Sequence, residues 1–204
     1  MSAYIYIEGG AHGAGSKYLN TKCQEAFHKL FDRMGFIGRK PRLVACGSRS
    51  DVHDRFVTEH TNNQADYVAM GIDSEEPMAD PDAAWKHLRA VTTVPPWTKP
   101  AGAEDDQVLF MTTCMETWIV ADRDVLRAHY GSELQETALP PLDDLEKRRR
   151  HDVQDKLKHA TRNCPNAYEK GARSFEILGK LTPATLETSL PSFGRVRRIL
   201  NKKL

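Results

Sequence analysis

Glu8, Asp73, Glu75, Glu116 and Lys170 are the residues of this 204-residue chain whose types and places suit joint chemistry. Asp73 and Glu75 close the stretch ADYVAMGIDSEEP, residues 65–77, in which the mostly apolar run Tyr67, Val68, Ala69, Met70, Ile72 ends abruptly in acids. Such a run fits a buried strand of a parallel sheet, although periodicity alone leaves a buried helix segment open. Acids at the carboxyl end of that strand lie where open α/β sheets place ligands. With one residue between them, Asp73 and Glu75 can both turn toward one cation, and a hard cation such as magnesium takes carboxylate oxygens while keeping several waters. The alternative is a polar strand exit whose acids cap the next helix.

Two further acids follow apolar runs in the same way. Glu8 ends AYIYI and is followed by Gly9-Gly10, and Glu116 comes shortly after VLFMT. Acids from several strand ends of one parallel sheet converge at its carboxyl edge, where they can hold one or two divalent ions that activate water at a phosphorus centre. Lys170, beside Gly171 in a polar loop, could neutralise charge on a phosphate oxygen, or could be one more basic surface residue. Arg49 follows the second apolar run and reaches the same edge.

The elements that must position these residues alternate. Strands are expected at Tyr4–Ile7, Leu43–Cys46, Tyr67–Ile72 and Val108–Thr112. Between them, Leu19, Cys23, Ala26, Phe27, Leu30, Phe31 and Met34 recur at helical spacing, a polar helix runs from about Asp51 to His60, and Pro81 starts a helix through Trp85 and Leu88. The loop after Gly10 runs through His12, Gly13 and Gly15, and residues 94–106 read as a further loop. Cys114–Tyr130 reads as helical, with Asp122 capping a second segment. That alternation predicts an α/β fold, a central, mainly parallel four-stranded sheet flanked by helices. Asp105 and Asp106 precede the fourth strand and belong at the amino edge, far from the site. Beyond about residue 134 the strands stop. Residues 135–204 are expected to form a basic helical extension packed on the 1–134 domain, with helices at Asp152–Arg162 and Ser174–Leu181 and a basic amphipathic helix at the end.

The net charge of +1 hides an asymmetry: residues 147–204 carry 15 Lys/Arg against 5 Asp/Glu, and residues 1–146 carry 14 against 23. An acidic front and a basic rear suit a nucleic-acid enzyme, and equally a solvated basic helical face. Arg195, Arg197, Arg198, Lys202 and Lys203 crowd the last helix and are expected to stay solvated and track a phosphate backbone. Four cysteines with no C-x-x-C pair argue against a zinc site or a disulfide framework and suit the cytoplasm. No apolar run approaches a membrane span, and the N-terminus lacks a signal peptide's basic and apolar regions.

On these residues the chain resembles the Toprim domain, in which one strand ends Glu-Gly and a later one ends Asp-x-Asp or a variant; here they read YIEGG and GIDSEE. It is most similar to a group of small bacterial Toprim-like proteins, related to overcoming-lysogenisation-defect-type nucleases. Their four blocks fall here at Glu8–Gly10, Asp73–Glu75, Met115–Asp122 and Lys170–Phe175, so the resemblance spans about residues 4–181. It implies a metal-dependent nuclease of DNA or RNA in which Glu8, Asp73, Glu75 and Glu116 hold Mg²⁺ or Mn²⁺ and Lys170 stabilises charge. It also implies an ATPase partner in anti-phage defence. Two departures stand out: Glu75 replaces the usual Asp, and the loop after Gly10 lacks an acid that several Toprim nucleases carry. The second favours a rival, a non-catalytic Toprim-like subunit that docks on a partner or holds a nucleotide.

Overall fold

The computed structural model describes residues 2–11, 16–62, 65–91 and 97–204; the loop residues His12, Gly13 and Gly15, and residues 94–96, lie outside them. The described residues form four strands, β1 (Ala3–Glu8), β2 (Arg42–Gly47), β3 (Tyr67–Asp73) and β4 (Val108–Met111). They pair in the order β2-β1-β3-β4, every pair parallel. The α/β class and the parallel sheet expected from the alternation are therefore present. Each strand is joined to the next by a helix: α1 (Ser16–Arg33), α2 (Arg49–Asn62) and α3 (Ala84–Val91).

Strand side chains alternate between the faces, and each face buries its own core. Ile5, Ile7, Leu43, Ala69, Leu109 and Met111 pack on one side with α1 and the C-terminal helices. Tyr6, Val68, Met70, Ile72, Val108 and Phe110 pack on the other with Val52 and Phe56 of α2 and Trp85 and Leu88 of α3. Such double-sided burial explains why the strands read as near-continuous apolar runs.

Capping decides where helices begin. α2 starts at Arg49, two residues earlier than expected, because Ser48 and Asp51 form a capping box: the Ser48 amide donates to Asp51 Oδ2 (3.2 Å) and the Asp51 amide donates to Ser48 Oγ (3.3 Å). α3 starts at Ala84 rather than at Pro81. Asp82 is held in a turn by Asp80 (2.9 Å), and Asp105 Oδ1 accepts from the Trp85 amide (2.7 Å), satisfying a donor of the first turn. The helical stretch after β4 divides at Asp122, as expected, into α4 (Met115–Ala121) and α5 (Arg123–Tyr130). Asp122 caps α5 through the Val125 amide (3.2 Å), and its other oxygen accepts from the Thr182 amide (2.7 Å).

The C-terminal part holds α6 (Arg150–Thr161), α7 (Ala172–Leu178), α8 (Pro183–Ser189) and α9 (Pro191–Lys203). α8 is not among the expected elements. Their apolar residues belong to the same core as the sheet face they cover, with Trp118 of α4 edge-on to Phe193 of α9 at 4.9 Å. Among the described residues no helix is long and apolar enough to cross a membrane.

The basic tail differs from expectation. Arg195 is 4% exposed rather than solvated. It donates to the Val108 carbonyl (2.8 Å), the Asp105 carbonyl (2.7 Å) and Asp82 Oδ1 (3.0 Å). Arg198 shares Asp82 (3.3 Å), Lys203 pairs with Asp106 (2.8 Å) and Arg197 pairs with Glu187. Val108 begins β4 and Asp105 and Asp106 precede it, so the contacts of Arg195 and Lys203 lie at the amino edge of the sheet. Arg195 stands three residues after Ser192 and four before Ile199, both buried, so the helical period puts it on the inner face. Three nitrogens of the guanidinium donate at once there, Nη1 to the Val108 carbonyl, Nη2 to the Asp105 carbonyl and Nε to Asp82, so one cation ties α9 to the residues that open β4. We expect Arg195→Met to lower stability by about 1.5–3 kcal/mol, the usual range for hydrogen bonds to a charged group, measured by urea unfolding.

Candidate functional site

β1 and β3 are neighbours, with Ile7 opposite Gly71, so Glu8 and Asp73 leave the sheet side by side. Glu8 Oε2 accepts from the Asp73 amide at 3.0 Å, and Asp73 Oδ1 accepts from the amide of Met115, the first residue of α4, at 2.9 Å. Asp73 thus caps a helix, but one beyond the neighbouring strand rather than the next in sequence. One oxygen of each carboxylate, Glu8 Oε1 and Asp73 Oδ2, has no hydrogen-bond partner among the described residues. Both residues line a cavity of about 100 Å³ together with Gly10, Glu116, Lys170 and Phe175.

The turn that carries the acids is braced on all sides. The Ser74 and Glu75 amides donate to the carbonyls of Met111 (3.2 Å) and Thr113 (3.0 Å), continuing the β3–β4 ladder past its end. His87 Nε2 meets the Ser74 carbonyl at 2.9 Å. Glu75 takes a left-handed φ of 69°, a costly conformation for a residue with a side chain, which turns it out to an ion pair with Arg150 of α6.

Glu116 lies on the same wall and is 1% exposed, but both of its oxygens are engaged. Tyr168 Oη donates to one, and Gln154 Nε2 donates to the other at 3.1 Å. Of the four expected ligands, Glu8 and Asp73 are therefore brought together with open oxygens, Glu116 adjoins them with its oxygens bonded, and Glu75 faces Arg150. Lys170 is brought to the same cavity from the loop before α7.

Charge in this cavity is crowded. Burial, reinforced by the nearby Glu8 and Glu116, raises Asp73 well above the usual carboxylate range, and Lys170 opposes the rise. Burial also raises Glu8, against the pull of the Asp73 amide. Burial works against charge on Glu116 too, but the Tyr168 and Gln154 hydrogen bonds outweigh it and hold that carboxyl below its usual value. Arg49, at the start of α2, is a further cation beside the acids Glu75, Glu8 and Asp73. Its guanidinium lies 4.9 Å from the Trp97 ring centroid, and its buried Nε and Nη2 have no partner among the described residues.

The two glycines after Glu8 are steric requirements. Gly9 has φ 138°, and a Cβ there would meet Cys23 Sγ at 3.0 Å and the Phe175 ring at 3.2 Å. Gly10 has φ 88°, and its Cβ would run into Asn20 Oδ1, the atom that accepts the Ala11 amide at 3.0 Å. Gly10→Ala should therefore cost about 1–3 kcal/mol of stability, read as a lower urea midpoint at unchanged denaturant slope.

Do these groups suit a divalent cation? Among the described residues no three or more His, Cys, Asp and Glu side chains are grouped to hold a metal ion. Glu8 and Asp73 offer two open oxygens in a cavity where two negative charges crowd. That donor set suits magnesium, which is commonly held by one or two carboxylates, waters and substrate phosphate, rather than an all-protein cage. Arg150, Gln154 and Tyr168, which occupy the remaining acids, are absent from the sequence-derived site. The one available signal was the four-residue spacing of Arg150 and Gln154, which puts both on one face of α6.

The chain matches no protein-family model, no curated protein and no solved structure.

Proposed function

We propose that this chain is a Toprim-type, metal-dependent phosphodiesterase acting on nucleic acid. The observation that carries the proposal is the pairing of Glu8 and Asp73, each with an open oxygen, at the carboxyl edge of a parallel sheet beside Lys170. Glu8 and Asp73 would hold Mg²⁺ or Mn²⁺. When bound, the ion would supply an activated water and charge stabilisation at the phosphorus. Lys170 would neutralise charge growing on a non-bridging phosphate oxygen, and Arg49, with its unsatisfied donors, would orient a phosphate by hydrogen bonding. Glu8 would also take the proton of the attacking water, a role that its upward-shifted carboxyl favours. An ATPase partner and a role in anti-phage defence belong to the same proposal, on resemblance alone.

The second reading is a non-catalytic binding subunit. It is favoured by the engagement of Glu75 with Arg150 and of Glu116 with Tyr168 and Gln154. The experiment that separates them is Mn²⁺ calorimetry of the wild type and Asp73→Ala, with cleavage of labelled single-stranded DNA and RNA alongside. No binding to either protein would favour the subunit.

A pH prediction follows from the raised carboxyl of Asp73. A proton held there in the apo protein must leave when a cation binds. Affinity for Mn²⁺ should therefore rise with pH, and binding should release protons, detected as a dependence of the heat on the buffer's ionisation enthalpy. Binding that releases no proton at any pH, with an affinity equally flat in Asp73→Asn, would mean that the ion does not touch Asp73.

A further inference from the structure

The phosphodiesterase proposed above needs a path by which a nucleic-acid strand reaches the carboxyl edge. The basic tail is at the wrong end. Arg195 and Lys203 contact residues just before and at the start of β4, and Lys203 also lies 5.5 Å from the ring of Tyr67, the first residue of β3. The length of a strand, roughly 3.3 Å per residue, separates them from Asp73. A backbone bound there would pass the opposite edge of the sheet.

A second basic surface opens on the site itself. Between α1 and α7 runs a groove of about 690 Å³, and Lys170 and Phe175 line both this groove and the small cavity of Glu8 and Asp73. Lys22 and Lys29 of α1 face Arg173 of α7 and Lys180 just beyond it. The acids in the groove are Glu25, Glu169 and Glu176, so with Lys170 the cations outnumber them by five to three. Each acid is paired: Glu25 with Lys22 (3.2 Å), Glu169 with Arg173 (3.9 Å) and Glu176 with Lys180 (2.9 Å). All six side chains in these pairs are more than 40% exposed. Exposed pairs of this kind hold weakly, so a phosphate can take the place of a carboxylate. Lys29 and Lys170 make no ion pair among the described residues.

At the α1 side of the groove stands Tyr18, 59% exposed, with Lys22 Nζ 5.9 Å from its ring centroid. An exposed ring beside cations is the arrangement on which unpaired bases stack. In a duplex the bases stack on one another inside the helix, so a ring that offers an open stacking face selects unpaired bases. The occupant that fits is a single strand.

We propose that the α1–α7 groove is the binding site for single-stranded nucleic acid and feeds the strand past Lys170 to the carboxylates. Resting on the phosphodiesterase proposed above, it is testable without cleavage. The measurement is fluorescence anisotropy of a labelled 12-nucleotide oligothymidylate in EDTA, across a salt series. Lys29→Ala/Arg173→Ala should weaken binding about tenfold or more at low salt and flatten the salt slope by about 1.4, since each phosphate contact to a single strand contributes about 0.7. Tyr18→Ala should weaken binding roughly tenfold with the slope unchanged. Arg197→Ala/Arg198→Ala/Lys202→Ala should match the wild type. In the wild type, oligothymidylate should also protect Lys29 from acylation, a readout that needs no variant.

A wild type that binds no oligonucleotide, or one that loses affinity through the tail variant and not the groove variant, would overturn the groove. A protein that binds through the groove but never cleaves with Mn²⁺ would leave the groove standing and remove the phosphodiesterase.

Discussion

Glu8→Gln and Asp73→Asn are expected to abolish Mn²⁺ binding and phosphodiester cleavage while making the apo protein more stable. The loss of activity should exceed the roughly 10–100-fold typical of residues that merely support a metal's ligands, because these two supply the open oxygens. Both substitutions keep the existing hydrogen bonds: the amide oxygens of Gln and Asn can accept from the amides of Asp73 and Met115 as the carboxylates do. The stability gain follows from the sign of the shifts. Burial raises both carboxyls, so the folded chain holds these protons more tightly than the unfolded chain. Stability from this source is therefore greatest at acid pH and falls as pH rises through the raised values, where the charged forms are penalised. A neutral amide removes that penalty, and the gain over wild type should be largest at high pH. Thermal melts from pH 5 to pH 9, with and without Mn²⁺, check it. Mn²⁺ should raise the melting temperature of the wild type and of neither variant. Variants that keep full activity and respond to Mn²⁺ would remove Glu8 and Asp73 from the ligand set.

The framework of this site is legible in the sequence because it depends on local rules. Ile5 and Ile7 are buried on one face of a parallel sheet and Val68, Met70 and Ile72 on the other, and the apolar run stops where the sheet ends, which places Glu8 and Asp73. Gly9 and Gly10 mark the close approach of Cys23, Phe175 and Asn20 to the backbone. What each acid does with its oxygens depends on residues far away in sequence. Tyr168 is 52 positions from Glu116, and Arg150 comes to Glu75 from a helix in the C-terminal part. No spacing rule reaches that far. Arg195 lies between these cases. Its charge invites a surface assignment, but its offsets from Ser192 and Ile199 put it on the buried face, and the period outweighs the charge because Val108, Asp105 and Asp82 supply acceptors. α8 is short, and Pro183 at its first turn is its main mark in the sequence.

Glu116 gives the sharpest contrast with Asp73, although both are buried carboxylates on one cavity wall. Its two oxygens accept from Tyr168 and Gln154, joining α4 to α6 and to the loop before α7. A carboxylate so bonded stabilises the fold in its charged form. Its folded pKa is held below the unfolded value, so the contribution is present above the ordinary glutamate range and is lost as pH falls through the lowered one. Tyr168→Phe removes one donor and leaves a buried charge short of a partner. It should cost about 1.5–3 kcal/mol, the usual range for a hydrogen bond to a charged group, and lower the melting temperature of a chain this long by roughly 2–4 °C per kcal/mol. Glu116→Gln should destabilise as well, since one of its terminal atoms becomes a donor facing Tyr168 or Gln154. Mn²⁺ affinity should change by less than about tenfold in Tyr168→Phe, because the ion would be held by Glu8 and Asp73. Melting and calorimetry on the same preparations test both halves together. A Tyr168→Phe protein with wild-type stability and no Mn²⁺ binding would make Glu116 a ligand that the tyrosine merely orients.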